Sequence, residues 1–138
     1  MHRGSYVLTV RAEADLREAR SWSQARSGKE LTNRYFEDLH ESALYVAENH
    51  GSLRSRQQLA GGTALCLCPV RELYIVYEPL TEETIAIVAV IRQRRDIATI
   101  LQKWAAPIRR ELTEIRSRIE RREIRVHERS ARKPSKRK

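Results

Sequence analysis

With 138 residues the chain is long enough for one domain and an appendage, and its formal net charge is +9. It has two cysteines and no apolar run near the ~20 residues of a membrane span, which excludes a disulfide-stapled scaffold and a transmembrane helix. The charge is unevenly placed: residues 1–104 hold 14 Lys/Arg against 13 Asp/Glu, and residues 105–138 hold 13 against 5. The basic character therefore belongs to the C-terminal quarter, not to a body coated in positive charge. The opening Met-His-Arg-Gly-Ser lacks the apolar core of a signal peptide, so the expected compartment is the cytosol.

In chain order, Tyr6 to Val10 reads as a strand that runs directly into a helix. Leu16, Ala19 and Trp22 follow helical spacing, and Glu13 and Asp15 sit where the helix dipole favours acids. Ser27-Gly28 breaks that helix. A second helix from about Lys29 places Leu31, Tyr35, Leu39, Leu44, Val46 and Ala47 inward, and Asn49 to Ser52 supplies a left-handed stop. Together the two predict an αα-hairpin able to cover one face of a sheet. Three antiparallel strands are expected next, near Arg56–Leu59, at Ala64–Val70 and at Leu73–Glu78, with an unusual glycine-free turn at Val70 to Leu73. Cys66 and Cys68 stand at i and i+2 on one strand face, so a bridge between them would distort the backbone, and alone they make no zinc site.

Ile85 to Ile91 is wholly apolar and rich in β-branched residues, as expected of a strand buried on both faces. It ends in Arg92-Gln93-Arg94-Arg95-Asp96 and passes into a helix through Ile97, Ile100, Leu101 and Trp104. Guanidinium groups are costly to bury alone, so Arg92, Arg94 and Arg95 either pair with Asp96 and its neighbours or face an anionic partner. Ala105-Ala106-Pro107 is expected to interrupt the helix. Beyond it, Ile108, Leu112, Ile115 and Ile119 form an apolar seam that seeks a surface: the body, a second copy, or a partner's groove. A chain ending at Ala106 should on this reading keep its body folded. Ser130 to Lys138 carries almost no hydrophobes and is expected to be disordered.

The Y-x-L-T-x-x-A-x-x-D-L opening, Y-x-x-x-L in the second helix, L-Y-I-V-Y, and V-I-x-x-R-R-D occur in an order that resembles the RelE/ParE toxin superfamily, and most of all its ParE branch, over residues 5–104. The resemblance implies an α+β fold: an N-terminal strand, an αα-hairpin packed on an antiparallel sheet, and a C-terminal helix. The chain would then divide into a toxin domain (1–104), an amphipathic basic helical extension (105–129) and a basic tail (130–138). It also implies the toxin of a type II toxin–antitoxin pair, acting by binding DNA gyrase and neutralised by a small antitoxin. Such a toxin needs an adhesive surface and neither cofactor nor metal. Arg92, Arg94 and Arg95 are the candidate target contacts, and Trp22, Tyr35 and Leu39 the candidate antitoxin groove. A homo- or hetero-oligomer is compatible with either surface.

Two other readings stand beside this one. A ribosome-dependent endoribonuclease of the RelE branch would use Arg54, Arg56 and Arg71 on phosphate, but it also needs proton-transfer groups. The expected sheet holds no histidine, and arginine exchanges protons poorly at neutral pH. That balance assigns no catalytic residue and disfavours the nuclease. The third reading is an inactive relative that binds nucleic acid non-specifically through the basic tail.

Overall fold

The computed structural model describes residues 4–54 and 56–129. β1 (Ser5–Leu8) enters α1 (Val10–Asn49) through Thr9, whose hydroxyl accepts from the Ala12 N–H at 3.1 Å and donates to the Val88 carbonyl at 3.0 Å. One side chain thus caps the helix and ties it to the sheet. At Gly28 the backbone adopts φ 88° and ψ 169°, a conformation that a side chain would strain, and α1 divides there into two limbs. Ser23 and Thr32 hydrogen-bond at 2.7 Å across the bend, and Arg20 donates to Asn33 at 3.1 Å. This is the expected αα-hairpin. Thr32, buried in that bond, takes the inward position assigned to Leu31, which is 55% exposed.

After α1 come β2 (Cys66–Val70), β3 (Leu73–Pro79), β4 (Thr84–Arg92), α2 (Ile97–Glu120) and the short β5 (His127–Glu128). The strand order is β2-β3-β4-β1-β5, with β1 parallel to β4 and the other neighbours antiparallel. The fold is α+β, and the N-terminal strand is a full member of the sheet. Each face is covered. Tyr6, Ile75, Tyr77, Ile85, Ile87 and Val90 pack under the α1 hairpin, while Val7, Leu67, Tyr74, Val76, Val88 and Ile91 pack under α2. That burial on two sides is why Ile85 to Ile91 can be apolar without alternation. The β3–β4 register shifts between Val76 and Tyr77, so Val88 and Ala89 fall consecutively on the α2 side. The extra residue behaves as a bulge.

Three further expectations are corrected. Residues around Arg56–Leu59 form no strand: Gln57–Ala60 is a turn of 3₁₀ helix with Ala60 fully buried. Gly61 closes it at φ 65°, and a Cβ there would come within 3.0 Å of Ala98 on α2, so close helix packing wins over strand propensity. No left-handed residue ends α1. His50 caps it with right-handed angles, and its Nε2 lies 2.8 Å from the Thr81 carbonyl oxygen.

The third correction concerns Pro107, which lies inside an uninterrupted α2. Proline in a helix interior costs about 3 kcal/mol, but Ile97, Leu101, Ile108, Leu112 and Ile115 are all buried on the two sides of it. Each such side chain contributes roughly 1.5–3 kcal/mol, enough to offset the lost backbone bond. The seam itself keeps to the body: Ile108, Leu112 and Ile115 join its core, with Ile119 partly buried beside them. Of the three surfaces open to the seam, the body is the one it uses. The 130–138 tail lies outside the described residues. No described helix is long and apolar enough to cross a membrane.

The glycine-free turn between β2 and β3 has its own explanation. Arg71 takes φ 53°, and Gln93 Nε2 donates to the carbonyls of both Arg71 and Leu73, at 2.9 and 3.0 Å. Asp38 on α1 pairs with the Arg71 guanidinium. Tertiary contacts hold a conformation for which glycine is the usual choice.

Candidate functional site

The β4–α2 junction is a turn anchored at both ends. The Gln93 N–H donates to Glu72 O at 2.9 Å, and Arg95 N–H to Arg92 O at 3.0 Å. Asp96 caps α2 by accepting from the Thr99 N–H at 3.2 Å and the Thr99 hydroxyl at 2.8 Å. Asp96 therefore serves the helix and not the arginines. Arg92, Arg94 and Arg95 are all exposed, and among the described residues none of them forms an ion pair. The Arg92 guanidinium lies 4.1 Å from the Trp22 ring centroid, and that of Arg26 stacks on the same ring at 4.7 Å. Stacking orients the Arg92 guanidinium without neutralising it.

Beside this turn lies a half-open cleft of about 400 Å³ between the first limb of α1, the end of β4 and the start of α2. Arg92, Arg95, Arg11, Asp15 and Trp22 all line it. Asp15 has a structural duty. β1 stops pairing with β4 at Ile87, and the Val90 N–H further along donates to the Asp15 carboxylate at 2.9 Å. Burial raises the Asp15 pKa above the usual carboxylate range, against the opposing pull of that N–H and of Arg11. Arg11 lies 3.7 Å from Asp15 and 4.9 Å from the Trp104 ring, and its buried Nε finds no acceptor. The cleft supplies fixed positive charge and aromatic faces, which suit the holding of an anionic group.

The other assigned residues are dispersed. Trp22 divides the first cleft from a second, of about 280 Å³, bordered by Leu31, Tyr35 and Arg71. Tyr35 is 8% exposed at its edge, with its pKa pushed up to about 12 by burial, and Arg71 stacks 5.1 Å from its ring. Leu39 is inside the core, so Trp22, Tyr35 and Leu39 do not form one open groove. Arg56 donates to the Tyr74 hydroxyl at 3.3 Å, Arg54 is exposed, and Arg71 is committed to Asp38. These three arginines do not converge on a common point.

Arg11 and Asp15 belong to the site, with Trp104 against Arg11; Asp15 is the acid of the Y-x-L-T-x-x-A-x-x-D-L opening, whereas Arg11 falls on an unspecified position of it. The i,i+4 spacing of Arg11 and Asp15 is a usable signal for their pairing. Nothing local tells that Trp104, seven residues into α2, meets the start of α1. A second cluster is equally hidden: Tyr6 Oη lies 2.8 Å from His40 Nδ1, and His127 stacks on Tyr6 at 5.0 Å. Burial, and then His40, lowers the His127 pKa.

Comparison with known proteins bears on the family and the fold. The profile of the family described as "ParE toxin of type II toxin-antitoxin system, parDE" matches residues 6–97. A protein named Toxin ParE from Escherichia coli is 27% identical over 97 residues, covering 70% of this chain and 92% of its own length. A solved chain from "Chromosomal ParDE TA system from P. aeruginosa" superposes with a TM-score of 0.53 at 17% identity, covering 67% of this chain and 98% of that one. At that identity the superposition speaks for the fold alone.

Proposed function

Since this chain belongs to the ParE toxin family of type II toxin–antitoxin systems, we propose that it arrests growth by binding DNA gyrase through the Arg92-Gln93-Arg94-Arg95 turn. One observation carries the reading: three arginines on one turn keep their charge unspent, whereas several arginines elsewhere in the fold are paired. Arg71 goes to Asp38, and Arg109 and Arg116 both go to Glu78. Unpaired guanidinium groups on a turn held by backbone bonds, with Arg92 stacked on Trp22, are suited to an acidic protein surface or a phosphate. The dispersal of Arg54, Arg56 and Arg71 supports a binding toxin over a nuclease. In a supercoiling assay the purified protein should block gyrase, and the small protein encoded beside it should relieve the block. Undisturbed supercoiling at saturating protein, together with mRNA cleavage in a translating extract, would replace this reading with the nuclease.

The surplus of basic residues after residue 104 supports a further contact, non-specific and with nucleic acid, on the same protein. Retention on a DNA column should fall steeply with salt through counterion release.

A further inference from the structure

We propose that Trp22 is the positioning residue of the target contact, holding Arg26 of α1 and Arg92 of β4 together as a pair of cations, and that Arg26 is a fourth contact arginine. The inference rests on the gyrase-binding reading and extends its contact from the β4–α2 turn onto the helical hairpin.

Among the described residues four aromatic rings take five guanidinium groups. Arg11 lies over Trp104 and also pairs with Asp15. Arg20 lies over Phe36 and donates to Asn33. Arg71 lies over Tyr35 and pairs with Asp38. Each of these three has a polar partner besides its ring. Trp22 differs twice. It takes two guanidinium groups, with Arg92 at 4.1 Å and Arg26 at 4.7 Å from the ring centroid. Among the described residues, moreover, neither of the two has an ion-pair or hydrogen-bond partner for its side chain. Like charges brought to one ring repel each other, and stacking holds the pair together without answering its charge. An acidic group from outside gains from both cations at once.

The ring is the fixed point of this arrangement. Trp22 is half-buried on the first limb of α1, and the buried Ser23–Thr32 bond beside it sets the bend at Gly28. Arg92 is placed by strand pairing with Leu73, but its side chain and that of Arg26 are exposed. Long exposed side chains otherwise lose rotamer freedom on binding, and a ring that orients them beforehand lowers that cost. The acids nearby narrow the partner. Glu18 borders one cleft beside Trp22 and Glu72 the other, and among the described residues neither forms an ion pair. Both oppose a phosphate backbone running past the ring, and an acidic side chain of a protein is the group that fits. Trp22 accordingly belongs to the target contact, not to the groove expected of it with Tyr35 and Leu39.

The test is the concentration of purified full-length protein that halves gyrase supercoiling. Arg26→Ala should raise it about fivefold to tenfold, as expected for removing one charge from an interface. Arg17→Ala removes the same charge from the same limb outside both clefts, and should leave it unchanged. Trp22→Leu should raise it about tenfold, and Trp22→Phe, which keeps an aromatic face, by much less. Added to the double variant R26A/R92A, Trp22→Leu should have no further effect, because nothing is left to position. Melting curves accompany each variant, and if Trp22→Leu fails to fold, the comparison of Arg26→Ala with Arg17→Ala decides. Undiminished inhibition by folded Arg26→Ala overturns the assignment. So does a further loss from Trp22→Leu in the double variant, which makes the ring itself the contact, and so do equal losses at Arg17 and Arg26, which point to net charge alone. In these three cases the wild type still inhibits and the gyrase reading stands. Failure of the wild type to inhibit, or full inhibition by R92A/R94A/R95A, defeats that reading and the assignment with it.

Discussion

Arginine is used in two opposite ways at the two ends of this molecule. On α2 and the segment after it, guanidinium groups act as stitches: Arg109 and Arg116 share Glu78, Arg118 pairs with Glu114, and Arg129 reaches Glu41 and Glu48 on α1. At the β4–α2 turn, Arg92, Arg94 and Arg95 sit on a backbone held by hydrogen bonds, with Arg92 stacked on Trp22, and keep their charge available. Apart from the Arg118 pair, which lies within α2, the first group fastens the C-terminal region to the body, and the second is left exposed at the turn. An arginine count therefore says little until the acids around each one are known.

The largest effect expected from this contrast is structural. Removing everything after Ala106 strips Ile108, Leu112 and Ile115 from the core and takes away Glu111, which accepts the Val10 N–H at 2.8 Å. Three such side chains amount to roughly 5–9 kcal/mol, comparable with the whole stability of a small domain. The truncated chain should aggregate or lose its cooperative melt, contrary to the expectation that the body folds without it. A cooperative melt near the wild-type temperature would show that α2 beyond Pro107 is only laid on the surface.

Leu112→Ala isolates the core contribution. Leu112 is 2% exposed, and the substitution should cost about 2–5 kcal/mol in urea denaturation. The triple variant R92A/R94A/R95A should behave in the opposite way, with growth inhibition abolished and stability lowered by only about 0.5–1 kcal/mol from the lost Trp22 stack. Growth assay and melting curve read these two variants against each other. If the triple variant loses as much stability as Leu112→Ala, the turn is a structural network and not a contact surface.

Glu78→Gln should have a smaller consequence. It removes two ion pairs whose arginines are about half exposed, so a loss of about 1 kcal/mol or less is expected, shrinking further at high salt. The smallest effect is a pH dependence. The folded pKa of Asp15 is raised above 3.8, so the folded state binds its proton more tightly than the unfolded chain does. Its penalty is absent below the unfolded value and complete above the folded one. Wild type should therefore lose stability relative to Asp15→Asn as pH rises through the carboxylate range, compared by denaturation at pH 3 and pH 7. A difference independent of pH would show that the two states hold the proton equally.

Several elements are legible in the amino-acid sequence because a local pattern suffices for them. Gly28 marks the bend of the hairpin, the unbroken run from Ile85 to Ile91 marks a central strand, and the order of short motifs points to the ParE branch. Other expectations fail where local preference meets a packing demand. Pro107 should end a helix, but the apolar seam on both sides of it faces one sheet surface, and the burial outweighs one missing backbone bond. The Arg56–Leu59 segment reads locally as a strand, yet α2 lies close enough to require Ala60 and Gly61 beneath it.

The sequence by itself determined which faces are apolar and where the chain must bend, because periodicity and glycine act over a few residues. Only the tertiary structure decided which arginines are spent and which are free. Glu78 meets Arg109 from 31 positions away, and the Arg11 beside the free cluster is separated from its neighbour Trp104 by most of the chain. Charge acts through space, so its pairing is fixed only once the fold has brought distant acids and bases together, or has failed to.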